Sequence, residues 1–375
     1  MPRNRYDLQE IAGAFGDVGT LVPFVVAYLA LVKMDAGGVL LGFGAAMIAA
    51  GLFYRTPIPV QPMKAIGAAA ATQAAGAAVL TPAMVVGSGV VTAAIWLLLG
   101  ATGLAKRIAD WVPRPALLGV VLGLGFAFML EGVRMMSGAV LLSAALLALS
   151  LVLHTRLPTM FLLLLAGVAV ALLERPALAG EIAAIRPEFR LPAFAWPALT
   201  ASDLWAGAVL LALPQLPLTF GNALLAIKEE NNRLFPDRPV AERGLAVSTG
   251  LLNAWSSAVG GVPMCHGAGG MAGHVRFGAR TGGATVVLGV VLTVLALFFG
   301  GSIGTLLELF PPPVLGVILF LAGAELALSS REAGAERVGR FVLLSTGALA
   351  VVHVGAAVVY GILAHHASKR GWLRF

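Results

Sequence analysis

Apolar runs long enough to cross a hydrocarbon core of about 30 Å recur from residue 11 to residue 367, separated only by short charged punctuation. A chain written this way leaves no stretch for a water-soluble core, so most of its surface must face lipid. Its composition, 59% hydrophobic and 11% charged, agrees. The runs are continuous, as in FLLLLAGVAVALL (161–173), and do not alternate in polarity over ten-residue segments, which excludes an outer-membrane barrel. The expected class is an all-α polytopic membrane protein with the lipid bilayer as its surroundings and no soluble domain.

The formal charge of +7 does not indicate nucleic acid, because Lys and Arg are spread through short loops. One cysteine, Cys265, excludes an intramolecular disulfide and a cysteine metal cluster, and neither a metal nor a cofactor is expected. The polar start MPRNRYDLQE meets the first apolar run without a small-residue cleavage site and is read as retained.

Seven apolar segments lie in residues 1–174, a connection over 175–200 follows, and seven more lie in 201–375. An odd number per half requires the halves to enter the membrane in opposite directions, the 7+7 inverted repeat of about 14 segments found in many secondary transporters. Charge tests the orientation. With both termini cytoplasmic, nineteen of the 25 Lys and Arg fall inside, five outside, and Lys64 within the membrane. The expected location is therefore a cell inner membrane, crossed many times.

The third segment of each half (62–79 and 263–275) is unusual. TPIPVQPMKAIGAAAA (56–71) and GGVPMCHGAGGMAG (260–273) each place a proline-containing extended run before a helix of very small residues. Pro62 and Met63 answer to Pro263 and Met264 at the same ordinal position, where broken helices point to a transport site. Proline suits the first turn of a helix, so both helices are expected to begin inside the membrane, at the midplane. Unmet N–H groups there need a polar partner. Two helix starts supply roughly +0.5 each, and Lys64 adds a full charge, a total suited to a dianion.

Candidate ligands follow from the same logic. Gly16, Asp17 and Thr20 lie in GAFGDVGT (13–20), Gln61 to Lys64 lie at the first break, and Cys265, His266 and Gly267 at the second. Lys64 has two readings, anion ligand or partner of the intramembrane acid Asp17. In the eighth segment (202–226) Gln215, Thr219 and Asn222 share one helix face, as ligands or as glue between helices. His266 at a helix start is a candidate donor to an oxyanion, or else a packing residue. Cys265 reads first as a small packing residue. Asp17, His266 and Glu325 are the candidates for coupling a proton or cation, although Glu325 lies close enough to its helix end to reach water.

Taken in order, GAFGDVGTLVP, PIPVQPMKAIGAAAA, PQLPLTFGNALLA and PMCHGAGGMAGHVRFGARTG resemble the molybdate-anion transporter family, related to the sulfate permeases. The resemblance implies the fourteen-segment fold divided into a core (segments one to four and eight to eleven) and a gate, with the anion between the two half-helix starts. It also implies a homodimer. Sulfate permeases carry a cytosolic domain after the membrane part, whereas this chain stops at HHASKRGWLRF, which favours molybdate over sulfate or tungstate. A nucleobase permease would want acidic groups where Lys64 and His266 stand, and an anion channel remains a rival. An intramembrane enzyme is not expected, since His266 and His274 are eight apart, not four.

Overall fold

The computed structural model describes residues 3–30, 32–64, 66–67, 80–153, 159–192, 199–330, 337–352, 354–370 and 372. The chain is mostly helical. Among the described residues four helices are long and apolar enough to span a membrane: Ala36–Tyr54, Pro82–Thr102, Arg114–Val152 and Gly283–Leu307. Leu162–Glu174 and Ala177–Ala184 are apolar helices that meet at a short break with a bend of 111°, the geometry of a broken span or of a re-entrant loop.

The helices sort into two bundles. In one, Ala36–Tyr54 packs on Gly283–Phe299 and Pro82–Thr102 packs on Glu242–Ala258. In the other, Arg114–Met136 packs on Pro312–Ser329 and on Arg337–Val352. Small residues make these approaches close, as expected where lipid gives helices no hydrophobic reason to associate. A Cβ on Gly125 would stand 2.7 Å from the Gly323 carbonyl oxygen, and one on Gly323 would stand 2.7 Å from that of Gly125. Gly132 and Gly316 repeat this reciprocal contact one register along.

The first segment is not one helix. Leu8–Ala14 is followed by a tighter turn at Phe15–Asp17, and an α-helix resumes at Val18–Ala30. Gly16 sits in that turn because the backbone of Gly273 and His274 lies directly against it, leaving no room for a side chain. In the eighth segment the helix from Ala201 widens into π turns at Gly207–Ala212 and Phe220–Ala226. Such widenings recur at functional sites.

Two expected boundaries need correction. The fifth expected segment (115–131) runs on to Met136, and what separates it from the sixth (138–153) is a tighter turn at Ser137–Ala139 within the helical stretch 114–152. Glu131 and Arg134, read as loop polarity, form an i,i+3 pair at 3.2 Å that a helix accommodates. The tenth segment becomes helical at Ala268, not at 263, because the preceding residues are held in a strand. Of the third segment (62–79), residues 68–79 lie outside the described residues.

Candidate functional site

The two breaks meet. Gln61–Pro62 (β1) and Met264–Cys265 (β2) form a two-stranded antiparallel sheet, with Gln61 opposite Cys265 and Pro62 opposite Met264. Met63 N–H donates to the Pro263 carbonyl at 3.0 Å, and Gly67 N–H to the Met63 carbonyl at 2.8 Å, so the first helix starts directly after β1. The second, Ala268–Arg276, starts three residues after β2. Pairing lets each strand satisfy the other's backbone groups in the middle of an apolar bundle. Asn253 clamps β2 from the neighbouring helix: its Oδ1 accepts from Met264 N–H at 3.0 Å and its Nδ2 donates to the Met264 carbonyl at 2.6 Å.

Asp17, Thr20 and Gln61 form one buried cluster. Gln61 Nε2 donates to Thr20 Oγ1 at 2.7 Å and to Asp17 Oδ1, which also accepts from Thr20 Oγ1. The cluster rests on the second helix start. A Cβ on Gly270 would lie 2.6 Å from Gln61 Nε2 and 2.8 Å from Asp17 Oδ1, and one on Gly267 would overlap Gln61 Oε1. Asp17 Oδ2 and Gln61 Oε1 are buried with no hydrogen-bond partner.

The Lys64 ammonium is also sealed from solvent without a hydrogen-bond partner. Of the two readings of Lys64, the ion pair with Asp17 is not formed: Asp17 Oδ1 is taken by Thr20 and Gln61, while Lys64 Nζ lies 3.7 Å from the centroid of the Phe128 ring.

Of the two readings of His266, this arrangement favours the packing residue, since both ring nitrogens are engaged within the protein. Its Nδ1 donates to the Pro59 carbonyl at 2.9 Å, and its Nε2 bonds Ser248 Oγ at 2.7 Å. A carbonyl only accepts, so in the neutral ring Nε2 receives the Ser248 hydroxyl. Ser248 in turn bonds Tyr54 OH at 2.6 Å, and the Tyr54 ring meets His266 edge-on at 5.4 Å. Asn222 reaches the second start, its Oδ1 accepting from Ala268 N–H at 3.3 Å. Gln215 Nε2 donates to Thr219 Oγ1 at 2.9 Å, both buried on the face that carries Asn222. Cys265 and Met63 are buried packing residues. Glu325 belongs to Pro312–Ser329, but its side chain lies outside the described atoms.

Phe128, Ser248 and Asn253 escaped the sequence reading. The last had a usable signal, because Thr249, Asn253 and Ser256 are buried polar residues on one helix face, the pattern that exposed Gln215, Thr219 and Asn222. Phe128 gave none, being one aromatic in an apolar helix.

Among the described residues two cavities lie where the bundles meet. One of about 880 Å³ is bordered by Val22, Val26, Met135, Arg175 and Glu308, the other of about 530 Å³ by Arg114, Leu117, Leu225, Lys228 and Arg233. A dry cluster of Val120, Val121 and Leu124 against Ala226, Ala268 and Ala272 closes the bundle contact beside the second helix start.

Comparison with known proteins agrees with this geometry. A family model described as a molybdate transporter of the MFS superfamily matches residues 9–128 and 207–326. Molybdate transporter 2 of Arabidopsis thaliana is 29% identical, over 94% of this chain and 85% of that protein. Molybdate transporter 1 of Chlamydomonas reinhardtii is 30% identical, over 94% and 90%. In fold, the chain is similar to the transmembrane domain of a cyanobacterium bicarbonate transporter (17% identity, 96% of this chain and 98% of that one, TM-score 0.59). It is also similar to the murine solute carrier 26 family member A9 anion transporter in the inward-facing state (13% identity, 100% and 70%, TM-score 0.64). A polytopic helical chain whose two broken segments meet at a buried, unpaired ammonium, and whose two halves both match one family model, belongs to the molybdate transporter family and is a membrane transporter, not an enzyme.

Proposed function

We propose that the protein is a secondary carrier that imports a tetrahedral dianion, molybdate, by alternating access, with the anion held between the two half-helix starts. The observation that carries this reading is Lys64, a buried ammonium with no hydrogen-bond partner at the start of a broken helix. A buried cation without a partner is costly in a membrane, and an oxyanion supplies both charge and acceptors. The names of the relatives favour molybdate over tungstate or sulfate.

The fourteen-segment inverted repeat is part of the proposal. Two stretches of equal length match the same family model, one in each half (1–174 and 201–375). The packing supports it too: Ala36–Tyr54, second in the first half, pairs with Gly283–Phe299, fourth in the second, and Pro82–Thr102, fourth in the first, pairs with Glu242–Ala258, second in the second. The bundle around the strands is then the core and the other the gate. The two cavities on either side of an apolar contact suit access from alternate faces. By charge, both termini lie in the cytoplasm of a cell whose inner membrane holds the protein; the homodimer rests on the family resemblance alone.

Asp17 is the proposed coupling group. Its unpartnered Oδ2 is an acceptor beside an anion seat, and a proton there removes a negative charge and turns the oxygen into a donor. Uptake of radiolabelled molybdate into proteoliposomes tests the whole. Saturable uptake with counterflow, inhibited by tungstate and sulfate but not uracil, is expected, with pH dependence lost in Asp17→Asn. Linear, channel-like flux, inhibition by uracil, or unaltered pH dependence in Asp17→Asn would each remove the corresponding part.

A further inference from the structure

Phe128 belongs to Arg114–Met136, in the bundle opposite the strands, yet its buried ring reaches both half-helix starts. The ring lies face-on to Lys64 Nζ, 3.7 Å from centroid to nitrogen. On its other side it presses on the second start, where a Cβ at Gly269 would come within 2.6 Å of the ring Cζ and closer still to its edge. The helix bearing it is locked to Pro312–Ser329 by the reciprocal glycine contacts, so the ring is positioned by its own bundle.

We propose that Phe128 sets the affinity of the anion seat by occupying it when the carrier is empty, its ring face standing in for the anion on Lys64. The proposal rests on Lys64 being the anion anchor. A ring offers the ammonium its negative quadrupole but no lone pair, so three N–H donors stay unmet. A tetrahedral dianion offers charge and lone pairs together. It cannot share the ammonium and the Gly269 turn with the ring, so binding exchanges one for the other. Every anion meets the same cost of displacing the ring, and a monoanion recovers less from Lys64 than a dianion does. The ring thereby lowers the affinity of every anion by one factor and leaves the preference for divalent oxyanions to Lys64, so a weakly held monoanion is the first to fall below useful affinity. Because Phe128 stands on the opposite bundle, its departure also links arrival of the anion to movement between bundles.

Equilibrium binding of molybdate and of nitrate to the purified full-length protein tests this in wild type, Phe128→Leu, Phe128→Trp and Lys64→Ala. Leucine keeps apolar bulk without a quadrupole, and tryptophan strengthens the quadrupole. Phe128→Leu should tighten molybdate and nitrate by the same factor, about three- to thirtyfold, while Phe128→Trp should weaken both. Should either variant fail to fold, fluorinated phenylalanines at position 128 keep the ring's shape, and affinity should rise stepwise with fluorine number. Molybdate affinity that is unchanged or weaker in Phe128→Leu, or flat across the fluorinated series, with wild-type binding still dependent on Lys64, would overturn this inference alone. Wild-type protein that binds no oxyanion, or binds it regardless of Lys64, would overturn the anion-site reading and this inference with it.

Discussion

The two half-helix starts are built on the same plan and finished differently. At the second, the polar groups are met: His266 is bonded at both ring nitrogens, Asn222 takes the Ala268 N–H, and Asn253 clamps Met264. At the first, the Lys64 ammonium has no hydrogen-bond partner, and neither do the oxygens Asp17 Oδ2 and Gln61 Oε1 of the cluster that lies between the two starts. Buried polar groups are nearly always satisfied, so the side that is finished reads as frame and the side that is not reads as the place of exchange. A second comparison, along the first segment, says the same. Glu10, also fully buried, accepts from Arg280 N–H at 2.9 Å and Ala284 N–H at 3.2 Å and so caps the helix Gly283–Phe299, whereas Asp17 keeps one oxygen unmet.

That contrast can be broken experimentally. The largest effect is expected for Gly270→Val, which drives a branched side chain into Gln61 and Asp17 where even a Cβ would be too close. Molybdate uptake should fall to background while the protein still reaches the membrane; uptake near wild type would show that the two starts are not in contact during transport. A smaller and different effect is expected for His266→Ala. Losing two buried hydrogen bonds should cost about 2–3 kcal/mol of stability, seen as a lower melting temperature in detergent, with molybdate affinity changed less than about threefold. A large loss of affinity at unchanged stability would make His266 a ligand after all.

Much of this was legible in the residues. The repeated apolar runs gave the class, and the matched Pro-Met pairs located both breaks, because proline and small residues act on the backbone locally. The polar spacing in 215–222 marked a buried face for the same reason. What sequence could not give was partnership. Whether Lys64 faces Asp17 or Phe128, and whether His266 faces an anion or Ser248, depends on which helices the fold brings together across the chain. The fifth segment ends at Met136 and not at residue 131 for a related reason, since charges that look like a loop are also stable as a helical pair.

The central claim is that the unpartnered ammonium of Lys64 holds the transported dianion. Equilibrium binding of molybdate to purified wild type and Lys64→Ala tests it directly, with melting temperature measured on the same samples. The account predicts at least roughly a thirtyfold loss of affinity in Lys64→Ala, with the melting temperature equal or higher because an unpaired buried charge has been removed. Unchanged molybdate affinity in a folded Lys64→Ala protein would contradict it.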